Sequence, residues 1–248
     1  MTESLSLLLP LILIFLVAGM VKGVTGMGLP TVAMGLLVTL MSPVAAAALL
    51  VIPSLVTNVW QCLAGPATAS LFRRLWPMAL GILVGTLSST ALLVRVDPSW
   101  SAFGLGCALL AYASYALVSP VVSVPARWEA RLSPLVGIVT GLITGATGVF
   151  VMPAVPYLQA LRLGKDELVQ ALGLSFTVST LALAGGLLLQ GAFRVDQLGL
   201  SSLAVVPALL GMWLGQAIRT RLSTRHFRLF FLWFLMVLGL ELISRPFF

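Results

Sequence analysis

Apolar runs recur along the whole chain, separated by short stretches of Pro, Gly, Ser and charged residues. They predict helices at about 44–65, 75–94, 100–118, 167–190, 198–218 and 227–244, most of them near the ~20 residues that a bilayer core requires. Two regions depart from the pattern. Residues 5–41 and 133–160 are each long enough to cross once with excess, and each is interrupted by Thr and Gly, in VTGMGLP and LITGATGVFVMP respectively. Each is either one long helix or two half-length segments meeting at a glycine-rich break. Helices rather than barrel strands are predicted, because lipid offers no water to backbone groups and the runs are too long and alternate too little for strands.

Composition strengthens this picture. Of 248 residues, 60% are hydrophobic and 8% charged, with a mean hydropathy of +1.11, far from the range of a soluble domain. No polar block is long enough to fold separately, so a single membrane domain over 1–248 is expected. The N-terminal MTESLSLLLP lacks a basic n-region and a small-residue cleavage site, which makes residues 5–21 a retained helix. Cys62 and Cys107 lie in apolar runs without metal-like spacing and read as free thiols.

The net charge of +7 reads as a topology signal, with no nucleic-acid partner implied. If each interrupted region crosses once, the basic residues split into Arg73, Arg74, Arg127, Arg131, Arg194 and Arg245 against Arg95, Arg162, Lys165, Arg219, Arg221, Arg225 and Arg228. That is no preference. If each region goes in and comes back, one side collects Arg73, Arg74, Arg127, Arg131, Arg162, Lys165, Arg219, Arg221, Arg225 and Arg228, and the other keeps Arg95, Arg194 and Arg245. The positive-inside rule selects this second arrangement, with the ten in the cytoplasm and both termini outside.

The chain also repeats itself. Pro77, Gly81 and Gly85 recur as Pro207, Gly211 and Gly215, Thr25-Gly26 matches Thr144-Gly145, and the Ser54–Asn58 stretch matches Ser175–Ser179 in the same order. The expected fold is an all-α integral membrane protein of two inverted-topology repeats, each a glycine-broken helical hairpin plus three transmembrane helices. Repeat one is 1–121, a cytoplasmic linker 122–132, and repeat two 133–248.

Candidate chemistry gathers at the breaks. Irregular backbone at membrane depth survives only where protein buries it or a wet cavity receives it, and a half-helix starting there points its positive end at an anion. Thr25, Gly26 and Gly28 in one break and Thr144, Gly145, Thr147 and Gly148 in the other are therefore candidates for substrate contact, against a plainer role as kinks. Lys22 is the one lysine before Lys165. It either snorkels to the interface or supplies a counter-charge inside the membrane. Asn58, Gln61, Ser175, Thr177, Ser179 and Thr180 line a passage or bond across helices. The Pro-x-x-x-Gly-x-x-x-Gly stretches read as close helix packing.

Absences narrow the function further. Of the acidic residues only Glu241 falls within an apolar span, and Arg245 one turn on makes an ion pair the simpler account. His226 sits in a basic loop and reads as solvated. No nucleophile motif, zinc motif or Cys/His cluster is present, so neither catalysis nor a cofactor is expected.

The broken segments GVTGMGLP and GLITGATGVFVMP, each followed by a P-x-x-x-G-x-x-x-G helix, resemble the sulfite exporter family of the TauE/SafE type over essentially the whole chain. The first break is shorter and less glycine-rich than is usual there, and Thr147 and Phe150 stand where glycines are often found. The resemblance implies a bacterial inner-membrane protein that exports sulfite or a small organosulfonate such as sulfoacetate. The expected transporter binds this anion between the inverted repeats, where the breaks meet near the midplane. Its partners are that anion, the lipid bilayer and, as one option, a second copy in a homodimer. An anion-selective channel and a non-transporting assembly or receptor subunit are the alternatives.

Overall fold

Helix α1 (Thr2–Thr25) stops where Gly26 and Gly28 turn left-handed, at φ 78° and 102°. Helix α2 (Leu29–Leu37) begins directly afterwards, with Pro30 in its first turn, where a missing N–H costs nothing. The structure, a computed structural model, describes residues 2–118, 123–193, 195–219 and 224–247. The terminal residues, residues 119–122 at the expected repeat boundary, and Arg194 and Arg221 of the charge count lie outside the described residues. The chain continues through α3 (Pro43–Leu63), α4 (Thr68–Arg95), α5 (Pro98–Val118), α6 (Ala126–Thr147), α7 (Ala154–Ala160), α8 (Lys165–Leu189), α9 (Val195–Leu203), α10 (Val205–Arg219) and α11 (Thr224–Ser244).

Every regular element among the described residues is helical, and eight spans are long and apolar enough to cross a membrane. The chain is an all-α, multi-pass membrane protein. Two details add to the sequence expectation. Within 122–132 the chain is helical from Ala126, its first turn carrying Glu129, a favourable place for a carboxylate. The span expected over 198–218 is present as Leu198–Arg219, its helical bonding broken once at Ala204, because Pro207 has no N–H to offer the Leu203 carbonyl. Outside the spans, Asp97 opens α5 and accepts bonds from the Ser99 hydroxyl and N–H, which hold its carboxyl below the usual range.

The helices pair in a pattern with twofold character. Helix α1 lies along α10 and α4 along α6, while α3 faces α8 and α5 faces α11. Exchanging α1 with α6, α4 with α10, α3 with α8 and α5 with α11 leaves these four pairs unchanged, whereas the extensive packing of α4 on α8 has only a slight counterpart between α10 and α3. Glycines set the closest approaches. A Cβ on Gly81 or Gly85 would strike the backbone of α6, and one on Gly211 or Gly215 the backbone of α1. The P-x-x-x-G-x-x-x-G helices are therefore packing surfaces, bringing backbones together where lipid supplies no hydrophobic drive.

Both interrupted regions go in and come back. The Val124 N–H donates to the Ala160 carbonyl at 3.0 Å, and the Tyr157 hydroxyl lies 2.6 Å from Ser133 Oγ, so α7 returns to the end where α6 began. Arg74 reaches that end too, with Nε and Nη2 on Glu129 at 2.6 and 2.8 Å. At the opposite end, Arg245 Nη1 donates to the Val38 carbonyl at 2.8 Å beyond α2, and the Phe247 ring meets Trp100 at the start of α5. Arg245 also forms the expected pair with Glu241, at 2.9 Å. His226 is exposed, and Cys62 and Cys107 are free thiols.

Candidate functional site

The first tip is held from outside its own hairpin. The Gly26 N–H closes α1 on the Lys22 carbonyl at 2.8 Å, and the Thr25 hydroxyl caps the turn between the Val21 and Met27 carbonyls at 2.8 and 2.6 Å. Gln61 on α3 then uses its amide twice. Nε2 donates to the Gly26 carbonyl at 2.7 Å and to the Val169 carbonyl at 2.9 Å, tying the tip to α8.

One turn before that tip, Lys22 points into the protein. It is 2% exposed, so the snorkelling alternative does not describe it. Its Nζ donates to Thr57 Oγ1 at 3.1 Å and to Asn58 Oδ1. Asn58 Nδ2 continues to Thr180 Oγ1 on α8 at 3.4 Å. An ammonium carries three donors, and both of these acceptors are neutral. No carboxylate among the described residues pairs with Lys22. The cluster thus offers Lys22 no counter-charge from its own side chains.

The second tip is satisfied internally. The Gly148 N–H closes α6 on the Thr144 carbonyl at 2.7 Å, with φ 73° at Gly148. Thr147 Oγ1 bonds the Ile143 carbonyl at 2.7 Å and accepts from the Val149 N–H at 3.3 Å, and Thr144 Oγ1 reaches the Thr140 and Val149 carbonyls at 2.7 and 3.2 Å. The residues equivalent to Thr25-Gly26 are therefore Thr147-Gly148, not the Thr144-Gly145 that sequence matching pairs with them. Thr144 occupies the place of Lys22. Gly145 lies within α6, where a Cβ would strike the Thr86 carbonyl and Ser89 on α4, so its smallness serves packing.

The second tip reaches α2, where a Cβ on Gly148 would meet Met34. Gly26 sits by Val169 near the start of α8, whereas Gly145 packs on Thr90, whose side chain meets Gly186 near the end of α8. Between them, near the middle of α8, lie Thr180 with its link to Asn58 and Lys22, and Phe176, whose ring stands 6.3 Å from that of Phe150. Ser179 is fully buried and Ser175 5% exposed, both hydroxyls without a partner. Ser175 faces a small gap against Leu75 and Ile82 of α4 rather than Lys22. Sequence reasoning missed Thr57 as a Lys22 partner and Gln61 as the latch of the first tip. Their signal was polarity on an apolar helix, Thr57 next to Asn58 and Gln61 one turn on. No group of three or more His, Cys, Asp or Glu among the described residues could hold a metal ion.

A protein-family comparison matches residues 11–242 to the family described as Sulfite exporter TauE/SafE. No curated protein and no solved structure matches the chain.

Proposed function

We propose that this chain, which belongs to the sulfite exporter TauE/SafE family, exports sulfite or a small organosulfonate through the region between its two glycine tips. The family is one of membrane transporters of sulfur-containing anions, not enzymes. The observation that carries the site is the buried Lys22 ammonium with only neutral partners, Thr57 and Asn58. Leaving a charge uncompensated in a dry interior costs several kcal/mol, and an anion arriving there offsets that cost. Asn58 and Thr57 hold the ammonium in the empty state and give way to the substrate oxygens, while Thr180 and the partnerless Ser179 hydroxyl add neutral donors on α8. The backbone and hydroxyls of Thr25, Gly26 and Gly28 on one side, and of Thr144, Thr147 and Gly148 on the other, receive the anion as it passes either tip.

In this reading the halves are inverted repeats, the protein lies in a bacterial inner membrane, and the arginine-rich end is cytoplasmic with both termini periplasmic. An inside-negative potential then favours exit by ~2.3 kcal/mol per charge per 100 mV, so export runs without a coupling ion. Purified protein in liposomes is expected to release loaded sulfite or sulfoacetate faster than empty vesicles do, with a rate that saturates. Correctly folded protein without flux above the vesicle background would sink the reading.

A further inference from the structure

A cavity of about 220 Å³ lies beside the first tip, at the arginine-rich end of the molecule. Thr25 and Met27 of the tip form its floor. Tyr112, Phe231 and Leu232, all buried, form an apolar wall, and the Tyr112 hydroxyl is turned onto the Met27 sulfur at 3.3 Å. The rim is polar: Arg219 from α10, Arg228 from α11 and Gln159 from α7 are all exposed there. Arg228 is oriented by a bond from Nη2 to the Ala116 carbonyl at 2.9 Å. The transport reading assigns no work to these groups.

We propose that this cavity is a capture site for small anions that carry an apolar group, with Arg219 and Arg228 gripping the anionic head. The proposal rests on the transport reading for what happens next, the passage of the captured anion to Lys22 when the Gly26 tip moves. Three features support it. Two guanidiniums converge from different helices, and guanidinium is the side chain suited to paired hydrogen bonding with planar or tetrahedral oxyanions. The volume falls below the ~300–1,000 Å³ of pockets for drug-sized ligands, so the occupant is small. The wall is aromatic and aliphatic. A bare inorganic dianion set against it loses hydration without compensation, whereas a short alkyl chain gains by leaving water. The site therefore selects an alkanesulfonate over an inorganic dianion such as sulfate.

The Gln61 amide gives the site its connection to the interior. It clamps the Gly26 and Val169 carbonyls, next in sequence to Thr25 and Leu168 that line the cavity, and Lys22 is not among the lining residues. Binding in the cavity consequently does not need Lys22.

Titration calorimetry of purified protein in nanodiscs with ethanesulfonate, and with sulfate as the inorganic comparison, tests this. Wild-type protein is expected to bind ethanesulfonate more tightly than sulfate. Arg219→Gln, a change at an exposed position, should weaken ethanesulfonate about tenfold, the usual scale for losing one charge-assisted bond, and Lys22→Met should leave that binding in place. The proposal is overturned if wild-type protein does not bind ethanesulfonate, if sulfate binds as tightly, or if Arg219→Gln leaves the affinity unchanged. Binding lost in Lys22→Met but kept in Arg219→Gln overturns it as well, by sending the anion straight to the inner cluster. Flux separates the two readings: transport insensitive to Arg219 sinks the capture site alone, and Arg219-dependent binding without flux sinks transport alone.

Discussion

The two hairpins share a backbone device and differ in what they carry. Each ends its long helix on a Thr-Gly pair, with the glycine left-handed and its N–H on the carbonyl four residues back. In the second hairpin that fourth residue is Thr144, and the tip closes its own hydrogen bonds. In the first it is Lys22, and the tip depends on Gln61 from another helix. The difference teaches that a shared backbone device does not require shared chemistry. A second buried lysine in place of Thr144 would add the burial cost of another ammonium.

The largest expected effect tests that asymmetry directly. Lys22→Met should cut sulfite or sulfonate flux by at least about 30-fold, the scale of ~2 kcal/mol for losing one member of a buried charged interaction, whereas Thr144→Val should stay within about threefold, in keeping with the ~0.6 kcal/mol of a typical bond between membrane helices. Asn58→Asp supplies a control in which the ammonium remains but is neutralised in place, and it should fold and yet transport as poorly as Lys22→Met. Equal losses in Lys22→Met and Thr144→Val liposome assays would break the comparison.

The second test concerns glycines that look alike in sequence. Gly145→Leu drives a side chain into the Thr86 carbonyl and Ser89 and should leave little folded protein, as read by size-exclusion chromatography. Gly26→Leu meets only the Val169 side chain at 3.8 Å and costs about 1–2 kcal/mol for its left-handed backbone, so folded protein should be recovered. If the two variants fold equally well, Gly145 is not a packing residue.

Those two glycines also mark how far the sequence can be read. The breaks, the in-and-back course of each hairpin and the packing role of Gly81, Gly85, Gly211 and Gly215 follow from patterns carried by neighbouring residues. Which of two Thr-Gly pairs in LITGATGV turns left-handed does not, because Thr144-Gly145 and Thr147-Gly148 are locally equivalent and only the facing wall of α4 keeps Gly145 helical. Lys22 was visible as a misplaced charge, but its partners lie on α3, beyond the reach of helical periodicity. The division of the 198–218 run at Ala204 was masked in the same way, since Pro77 interrupts the bonding of α4 and leaves that helix whole.

The smallest effect sharpens the contrast between a tip held by a neighbour and one that holds itself. Gln61→Leu leaves the Gly26 and Val169 carbonyls without their donor and should cost about 1 kcal/mol, lowering the melting temperature by roughly 2–4 °C in a fluorimetric scan. Thr147→Ala should shift it by less, since the Ile143 carbonyl keeps its helical bond and the one group freed is the Val149 N–H, held at a long 3.3 Å.

The glycine contact between α1 and α10 has a consequence for biosynthesis. Helix α4 meets α6 soon after it is made, with only α5 and a short connection between them. Helix α1 leaves the ribosome well ahead of the Ala208 and Met212 backbone against which Gly19 and Gly23 pack, with eight helices made between α1 and α10. The hairpin with the buried lysine therefore spends most of translation without its closest neighbour, and Asn58 and Thr57, delivered early on α3, are the first groups able to shelter its ammonium.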